Sequence, residues 1–386
     1  MSIDFTTEQL QIRDSVARLC AGFGDDYWLE RDRDGRFPED FCQAVAGAGY
    51  MGIAMPAEYG GAGLGITEAA ILMQEISRSG AGNGGVSSVS IGIFGLNPVV
   101  RHGSAEQKAR ALPPIIRRTD IACFAVTEAE TGLDTTRLRT RAERTANGYV
   151  VHGSKAWTTT AQVANKILLI ARTDPDTARP IDGLSLFYTD LDRSRIEIRE
   201  IPKMGRACVD SNMLFIDGLK IPFEDRIGEE GSGFRYLLHG INPERILIAA
   251  GLIGLGRAAL ARASDYARER RVFGRPIGMN QSIQHPLAEC WAELEAANLM
   301  AFRAAQLYDR GEPCGVMANA AKYLAGEAAF KACNTAVMTH GGMGYAREFH
   351  VERYLRESLI HRLAPITPHL ALCYIAEREL GLPRSY

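Results

Sequence analysis

The chain has little of what marks a specialised fold. Its eight cysteines (Cys20, Cys42, Cys123, Cys208, Cys290, Cys314, Cys333 and Cys373) are scattered singly, with no Cys-x-x-Cys pair. That argues against a zinc site or a disulfide scaffold and for a reducing compartment. Neither sign of charge dominates: 44 basic against 46 acidic residues give a net −2, and no basic stripe is interleaved with aromatics. Nucleic acid is therefore not an expected partner. The longest apolar run, Ile246 to Gly256, is too short and too glycine-rich to span a bilayer. No basic-then-apolar leader opens the chain, so a soluble cytoplasmic protein without a membrane role is expected. There is no Gly-x-Ser-x-Gly elbow and no phosphate loop ending in Gly-Lys-Ser/Thr, and the eight histidines lack metal-ligand spacing. Hydrolase, NTPase and metal chemistry lose support accordingly. Glycine-rich pieces such as Tyr59 to Gly65 do not form Gly-x-Gly-x-x-Gly between a strand and a helix, which disfavours a Rossmann fold.

What is present is ordinary globular composition, 46% hydrophobic and 23% charged over 386 residues, enough for two or three domains. Periodicity divides the chain into three blocks, an α+β arrangement. Residues 1–120 read as a helical domain, with a helix start at Thr6-Thr7-Glu8-Gln9 and 3.6-residue patterns over Ile66 to Ser77 and Ala105 to Ile116. Residues 121–230 change to short extended runs. They include Cys123 to Val126, Tyr149 to His152, Ile167 to Ala171 and Ser185 to Tyr188, with Asn147-Gly148 as a hairpin signal. An antiparallel β-domain of six to eight strands is expected there. Residues 231–386 return to long helices, Arg235 to Arg270 (with Asn242-Pro243 as the place where it would be interrupted), Ser282 to Tyr308, Ala318 to Thr339 and Val351 to Ile360, that would pack as an antiparallel bundle.

Two places could carry chemistry. Glu244 follows Asn242-Pro243 at the head of an apolar helical stretch. Asn can cap a helix and Pro suits its first position, so Glu244 is expected in the opening turn. A carboxylate there either complements the helix dipole or serves as a general base against an apolar wall, and the residues alone leave both readings open. In the β-block, Phe124 to Asp134 leaves a strand for a loop, and Lys155-Ala156-Trp157-Thr158-Thr159-Thr160 follows the hairpin. Amides and threonine hydroxyls beside an indole suit the edge and face of a planar heteroaromatic cofactor, although both residue types are also common in strands.

The order of these motifs resembles the acyl-CoA dehydrogenase family over nearly the whole chain. Val126-Thr127-Glu128 through Gly132-Leu133-Asp134 is similar to its first signature, and Trp157-Thr158-Thr159 to its flavin segment. Arg268 to Arg275 with Gln281 resembles the Arg-x-x-Phe-Gly…Gln stretch, and His340 to Tyr345 the Gly-Gly-x-Gly turn before the Val351 to Glu357 helix. The resemblance implies an N-terminal helical domain, a middle antiparallel β-domain and a C-terminal four-helix bundle. It implies noncovalent FAD, a homotetramer, an acyl-CoA substrate and an electron-transferring flavoprotein as acceptor. Phe124, Val126, Thr127, Trp157 and Thr159 would hold the isoalloxazine, with Thr367 also against the cofactor. Arg270, Phe273, Gln281, Met338, Gly341 and Gly342 would hold the ADP half of a partner subunit's FAD. Leu133, Asn242 and Arg245 would meet the substrate.

The family reaction makes a Cα–Cβ double bond: a carboxylate takes the α-proton and the β-hydrogen leaves as hydride to flavin N5. The loop slot that usually supplies the base reads Leu363-Ala364-Pro365-Ile366-Thr367 here. Isovaleryl-CoA and long-chain members place it in a helix instead, and Glu244 matches that site. Proline at 365 also removes an amide donor to the thioester carbonyl, and Leu133 replaces a usual Ser. These departures keep alternatives in view: a carrier-protein thioester substrate, oxidase or elimination chemistry, or a catalytically silent acyl-CoA-binding flavoprotein.

Overall fold

The computed structural model describes residues 5–385. Seven helices precede the sheet: α1 (Thr7–Ala21), α2 (Asp25–Asp34), α3 (Glu39–Gly47), α4 (Ile66–Ile76), α5 (Gly82–Phe94), α6 (Asn97–His102) and α7 (Ala105–Ile116). Local sequence sets their starts. Thr6 and Gln9 form a reciprocal capping box at α1, and the Ser104 hydroxyl accepts the Gln107 amide at α7. Between α4 and α5 lies a π-helical turn, Ser77–Ala81, with Gly80 in a left-handed conformation.

Seven strands follow: β1 (Ala122–Ala125), β2 (Arg141–Thr145), β3 (Gly148–Thr159), β4 (Lys166–Arg172), β5 (Leu184–Asp190), β6 (Ile196–Glu200) and β7 (Ser211–Ile221). They form one sheet ordered β1-β4-β2-β3-β7-β6, with β5 also on β4. The expectation of an all-antiparallel domain needs correction, because β1 and β2 both run parallel to β4. The physical reason shows in β4 itself, whose Ile167 to Ala171 are all buried, as befits a strand covered on both faces.

The remaining chain is helical apart from the small β8–β9 hairpin (Arg271–Val272, Arg275–Pro276). It comprises α8 (Gly233–Glu269), α9 (Gln281–Asp309), α10 (Gly315–His340), α11 (Val351–Ser358) and α12 (Pro368–Arg378). Three long helices, α8 to α10, pack on one another, and the short α11 and α12 lie against α10. Their seams are built of small residues. Ala318, Ala321, Ala325, Ala329, Ala332 and Ala336 of α10 are buried, and a Cβ added to Gly254 of α8 would stand 2.2 Å from the Gln74 carbonyl oxygen of α4. By length and composition α8 could cross a membrane, but 72% of its most apolar window is buried inside the fold, which is the position of a core helix.

Candidate active site

The helix carrying Glu244 does not begin at Asn242. It begins at Gly233 and continues through Pro243. Glu244 therefore sits in a helix interior, outside the reach of the terminal dipole that an opening-turn position would have supplied. Proline inside a helix costs about 3 kcal/mol. The buried Pro243 is tolerated because α8 packs against α4, α5, α6, α9 and α10, burying far more surface than one ladder bond is worth.

Glu244 is half-buried, and its carboxylate makes no hydrogen bond or ion pair with any described residue. Burial pushes its pKa up to about 7, against the lowering effect of the Arg245 charge. Arg245 is itself tied down: Nη1 donates to Asn242 Oδ1 at 3.2 Å, while Nε is buried without a partner. Beside Arg245, from α10, comes Lys322, 1% exposed, whose Nζ donates to the Ile366 carbonyl oxygen at 2.5 Å. Burial and the Arg245 charge pull Lys322 down to about 8. Asn242, Glu244 and Arg245 thus lie on α8, and Lys322, tied to the Pro365–Thr367 loop, lies on the α10 that packs against it. A carboxylate with no internal partner and a proton affinity near neutrality is suited to removing a proton from a bound carbon acid.

A cradle for a flat ligand lies where β1 ends beside β3. The Ala156 amide donates to the Thr127 carbonyl at 2.8 Å, and Lys155 Nζ reaches the Val126 carbonyl at 3.0 Å. These bonds bring Phe124, Val126 and Thr127 alongside Trp157 and Thr159. A register shift between Lys155 and Thr158 places Trp157 at φ 60°, turning its indole outward with 55% exposure. The Thr127 and Thr159 hydroxyls have no partner among the described residues, and the Thr158 hydroxyl is buried and unpaired. Free donors flanking an exposed indole fit the isoalloxazine of FAD. Phe124 and Val126 pack in the same cluster as Tyr236 and Leu237, which links the cradle to the N-terminal half of α8. Leu133 stands 61% exposed in the loop after β1.

The remaining predicted cofactor residues are not brought to this place. Arg270 closes α8, and Phe273, fully exposed at φ 52°, forms the tip of the β8–β9 hairpin before Gln281. Met338, Gly341 and Gly342 lie at the end of α10, where His340 stacks on Tyr266 with ring centroids 4.3 Å apart. Along α8, the 26 residues from Glu244 to Arg270 span about 40 Å. Within one chain, these six residues and the Trp157 cradle form two separate sites. A wide surface cleft of about 690 Å³, lined in part by Gln9, Leu64, Arg101, Tyr308 and Asp309, involves neither Glu244 nor the cradle.

Three buried groups escaped the sequence reading: Lys322 and the pair Lys155–Glu128, joined at 3.0 Å. A signal for Lys322 existed, since it falls four residues after Ala318 and three before Ala325, on the apolar seam of its helix. Lys155 offered no comparable sign, because strand alternation around the β3 bulge is broken.

The comparisons follow the same architecture. The chain matches the acyl-CoA dehydrogenase N-terminal domain over residues 6–119, the middle domain over 123–219 and the C-terminal domain over 231–365. It is 33% identical to acyl-CoA dehydrogenase FadE12 of Mycobacterium tuberculosis over 381 residues, 98% of this chain and 97% of that one. To the mitochondrial short-chain specific acyl-CoA dehydrogenase of Mus musculus it is 34% identical over 356 residues, covering 92% and 85%. Among solved structures, the glutaryl-coenzyme A dehydrogenase–glutaryl-CoA complex superposes with a TM-score of 0.94 at 28% identity, over 100% of this chain and 98% of that one. The prolyl acyl carrier protein oxidase AnaB gives 0.93 at 28%, over 98% and 100%. The chain belongs to the acyl-CoA dehydrogenase family, FAD-dependent oxidoreductases that dehydrogenate acyl-CoA.

Proposed function

We propose that this protein forms a Cα–Cβ double bond in an acyl-CoA thioester with Glu244 as the base. The observation carrying the reading is the partnerless, half-buried Glu244 carboxylate, raised to about 7 by burial. When bound, FAD supplies the hydride acceptor, and Phe124, Val126, Thr127, Trp157 and Thr159 would hold its ring with Thr367 nearby. Asn242 and Arg245 would orient the thioester, and Leu133 would line an apolar mouth. As the α-proton moves, Glu244 becomes neutral, and Arg245 and Lys322 leave net positive charge beside the developing enolate. The hairpin and α10-end residues, about 40 Å along α8 from Glu244, would serve a second copy's FAD, in keeping with a homotetramer. An electron-transferring flavoprotein would then reoxidise the enzyme. Glu244→Gln, mixed with a panel of acyl-CoAs, should bleach the flavin at least about 1,000-fold more slowly than wild type. Unchanged rates would remove Glu244 from the role.

A second reading draws on the likeness to AnaB: a carrier-protein thioester substrate with oxygen as the acceptor. Oxygen consumption during turnover without an added acceptor would favour it over the dehydrogenase reading.

A further inference from the structure

Lys322 stands at an unusual place for an ammonium. It is 1% exposed and, among the described residues, no carboxylate lies within bonding distance and its one hydrogen bond is to the Ile366 carbonyl oxygen, at 2.5 Å. Glu327, whose charge favours the protonated Lys322, is itself held by Arg362 through two bonds of 2.9 and 3.0 Å. A buried cation with a single neutral acceptor is costly, so ordinary ion-pair stability does not account for it.

The residue it grips belongs to the loop in which Pro365 has no N–H to offer. Neither amide that follows, of Ile366 or of Thr367, makes a hydrogen bond within the described chain. In a trans peptide unit the carbonyl and the next N–H point in opposite directions. Drawing the Ile366 carbonyl toward α10 therefore turns the Thr367 N–H away from α10. Thr367 is fixed from its other side as well: its hydroxyl accepts the Leu370 amide at 3.3 Å and caps α12. α8, which carries Glu244 and Arg245, and α10, which carries Lys322, pack directly on each other, and the Arg245 charge lowers the proton affinity of both Glu244 and Lys322, which sets the gripped peptide unit on the side of the bundle that carries the base.

We infer that Lys322 is a positioning residue: by holding the Ile366 carbonyl it presents the Thr367 N–H to the thioester carbonyl, in place of the donor that Pro365 lacks. The inference rests on the reading that an acyl thioester binds beside Glu244.

Two ligands separate carbonyl recognition from general binding. Acetoacetyl-CoA enolises and demands a donor at its thioester oxygen, whereas S-butyl-CoA is a thioether without that oxygen. Both would be titrated calorimetrically into FAD-loaded wild type, Lys322→Met, Lys322→Arg and Pro365→Ala. Lys322→Met should weaken acetoacetyl-CoA at least about tenfold while leaving S-butyl-CoA within about threefold. Lys322→Arg, which can still donate to the Ile366 carbonyl, should recover most of the loss, and Pro365→Ala should bind both ligands as wild type does. Equal weakening of both ligands in Lys322→Met, or of neither, overturns the inference. So does a Pro365→Ala protein that gains about tenfold for acetoacetyl-CoA, because the donor would then have been missing rather than replaced. Should Lys322→Met fail to fold, a chain ligated at Cys333 with an ester joining residues 366 and 367 removes the Thr367 N–H and also weakens the Ile366 carbonyl as the acceptor for Lys322, both parts of the same device. The expected result is the same selective loss, and unchanged affinity overturns the proposal. Wild type that binds neither ligand overturns the acyl-thioester reading itself, and this inference with it.

Discussion

The ammonium of Lys155 lies 3.0 Å from the carboxylate of Glu128, and both side chains are sealed from solvent. Burial disfavours ionisation of each. For Glu128 it is outweighed by the Lys155 charge and by the Thr140 and Arg139 amides, which hold the carboxyl below its usual range. Because Lys155 also grips the Val126 carbonyl, the pair locks the end of β1 to the strand bearing Trp157.

Lys155→Met should therefore destabilise the protein by about 3–5 kcal/mol, the usual penalty for orphaning a buried charge. Urea unfolding would measure it. Adding Glu128→Gln should restore part of the stability, because the stranded carboxylate is then gone. Both variants should retain less FAD after gel filtration than wild type.

Glu244 makes a prediction in pH. Its folded pKa, about 7, lies above the ordinary carboxyl value of 4.5, so the folded state holds an extra proton between those limits. Its contribution to stability is therefore undiminished below about 4.5, falls as pH rises toward 7, and is a full penalty above that. At pH 8 Glu244→Gln should be more stable than wild type by on the order of 1–3 kcal/mol. The flavin-reduction rate of wild type with acyl-CoA should rise through an apparent pKa near 7. A flat profile would separate Glu244 from proton removal.

Gly254 tests the small-residue seam. A methyl there would meet the Gln74 backbone carbonyl oxygen at 2.2 Å, with no flexible side chain to give way. Gly254→Ala should destabilise the fold by about 1–3 kcal/mol, as overpacked cores do, with a shift in the urea midpoint as the readout.

Phe273 reports on assembly. A fully exposed phenyl ring at a hairpin tip packs on nothing among the described residues of its own chain. Phe273→Ser should lower FAD content per chain and shift the light-scattering mass toward smaller species. Full flavin content with unchanged mass would sink the idea of a shared cofactor site.

How much was legible depended on where information resides. Caps and turns are local, so the helix start at Thr6 and the β2–β3 hairpin could be read directly. Even there the loop residues are Ala146 and Asn147, while Gly148 opens β3 at φ 143° against the Ile221 carbonyl. The parallel pairing of β1 with β4 left no such trace, because register between distant strands is decided by packing. Whether α8 runs unbroken through Asn242-Pro243 was undecided for a related reason. Asn242-Pro243 is locally a helix opening, but the surface buried by α8 outweighed the broken ladder bond. Of the site, the motif residues were visible and the interior cations were not: Lys322 acts through a carbonyl 44 residues away.

Placing the acid on α8 has a practical consequence for engineering. Residues 363–367 carry no acid, so with Glu244 as the proposed base this segment can be exchanged with that of a relative without removing the proton acceptor. Grafts there would vary the thioester contacts while leaving the base in place. In chains whose base sits in the loop itself, any such exchange alters both at once. The bundle core of this protein is thus a fixed chassis, and the short stretch beside it is the replaceable part.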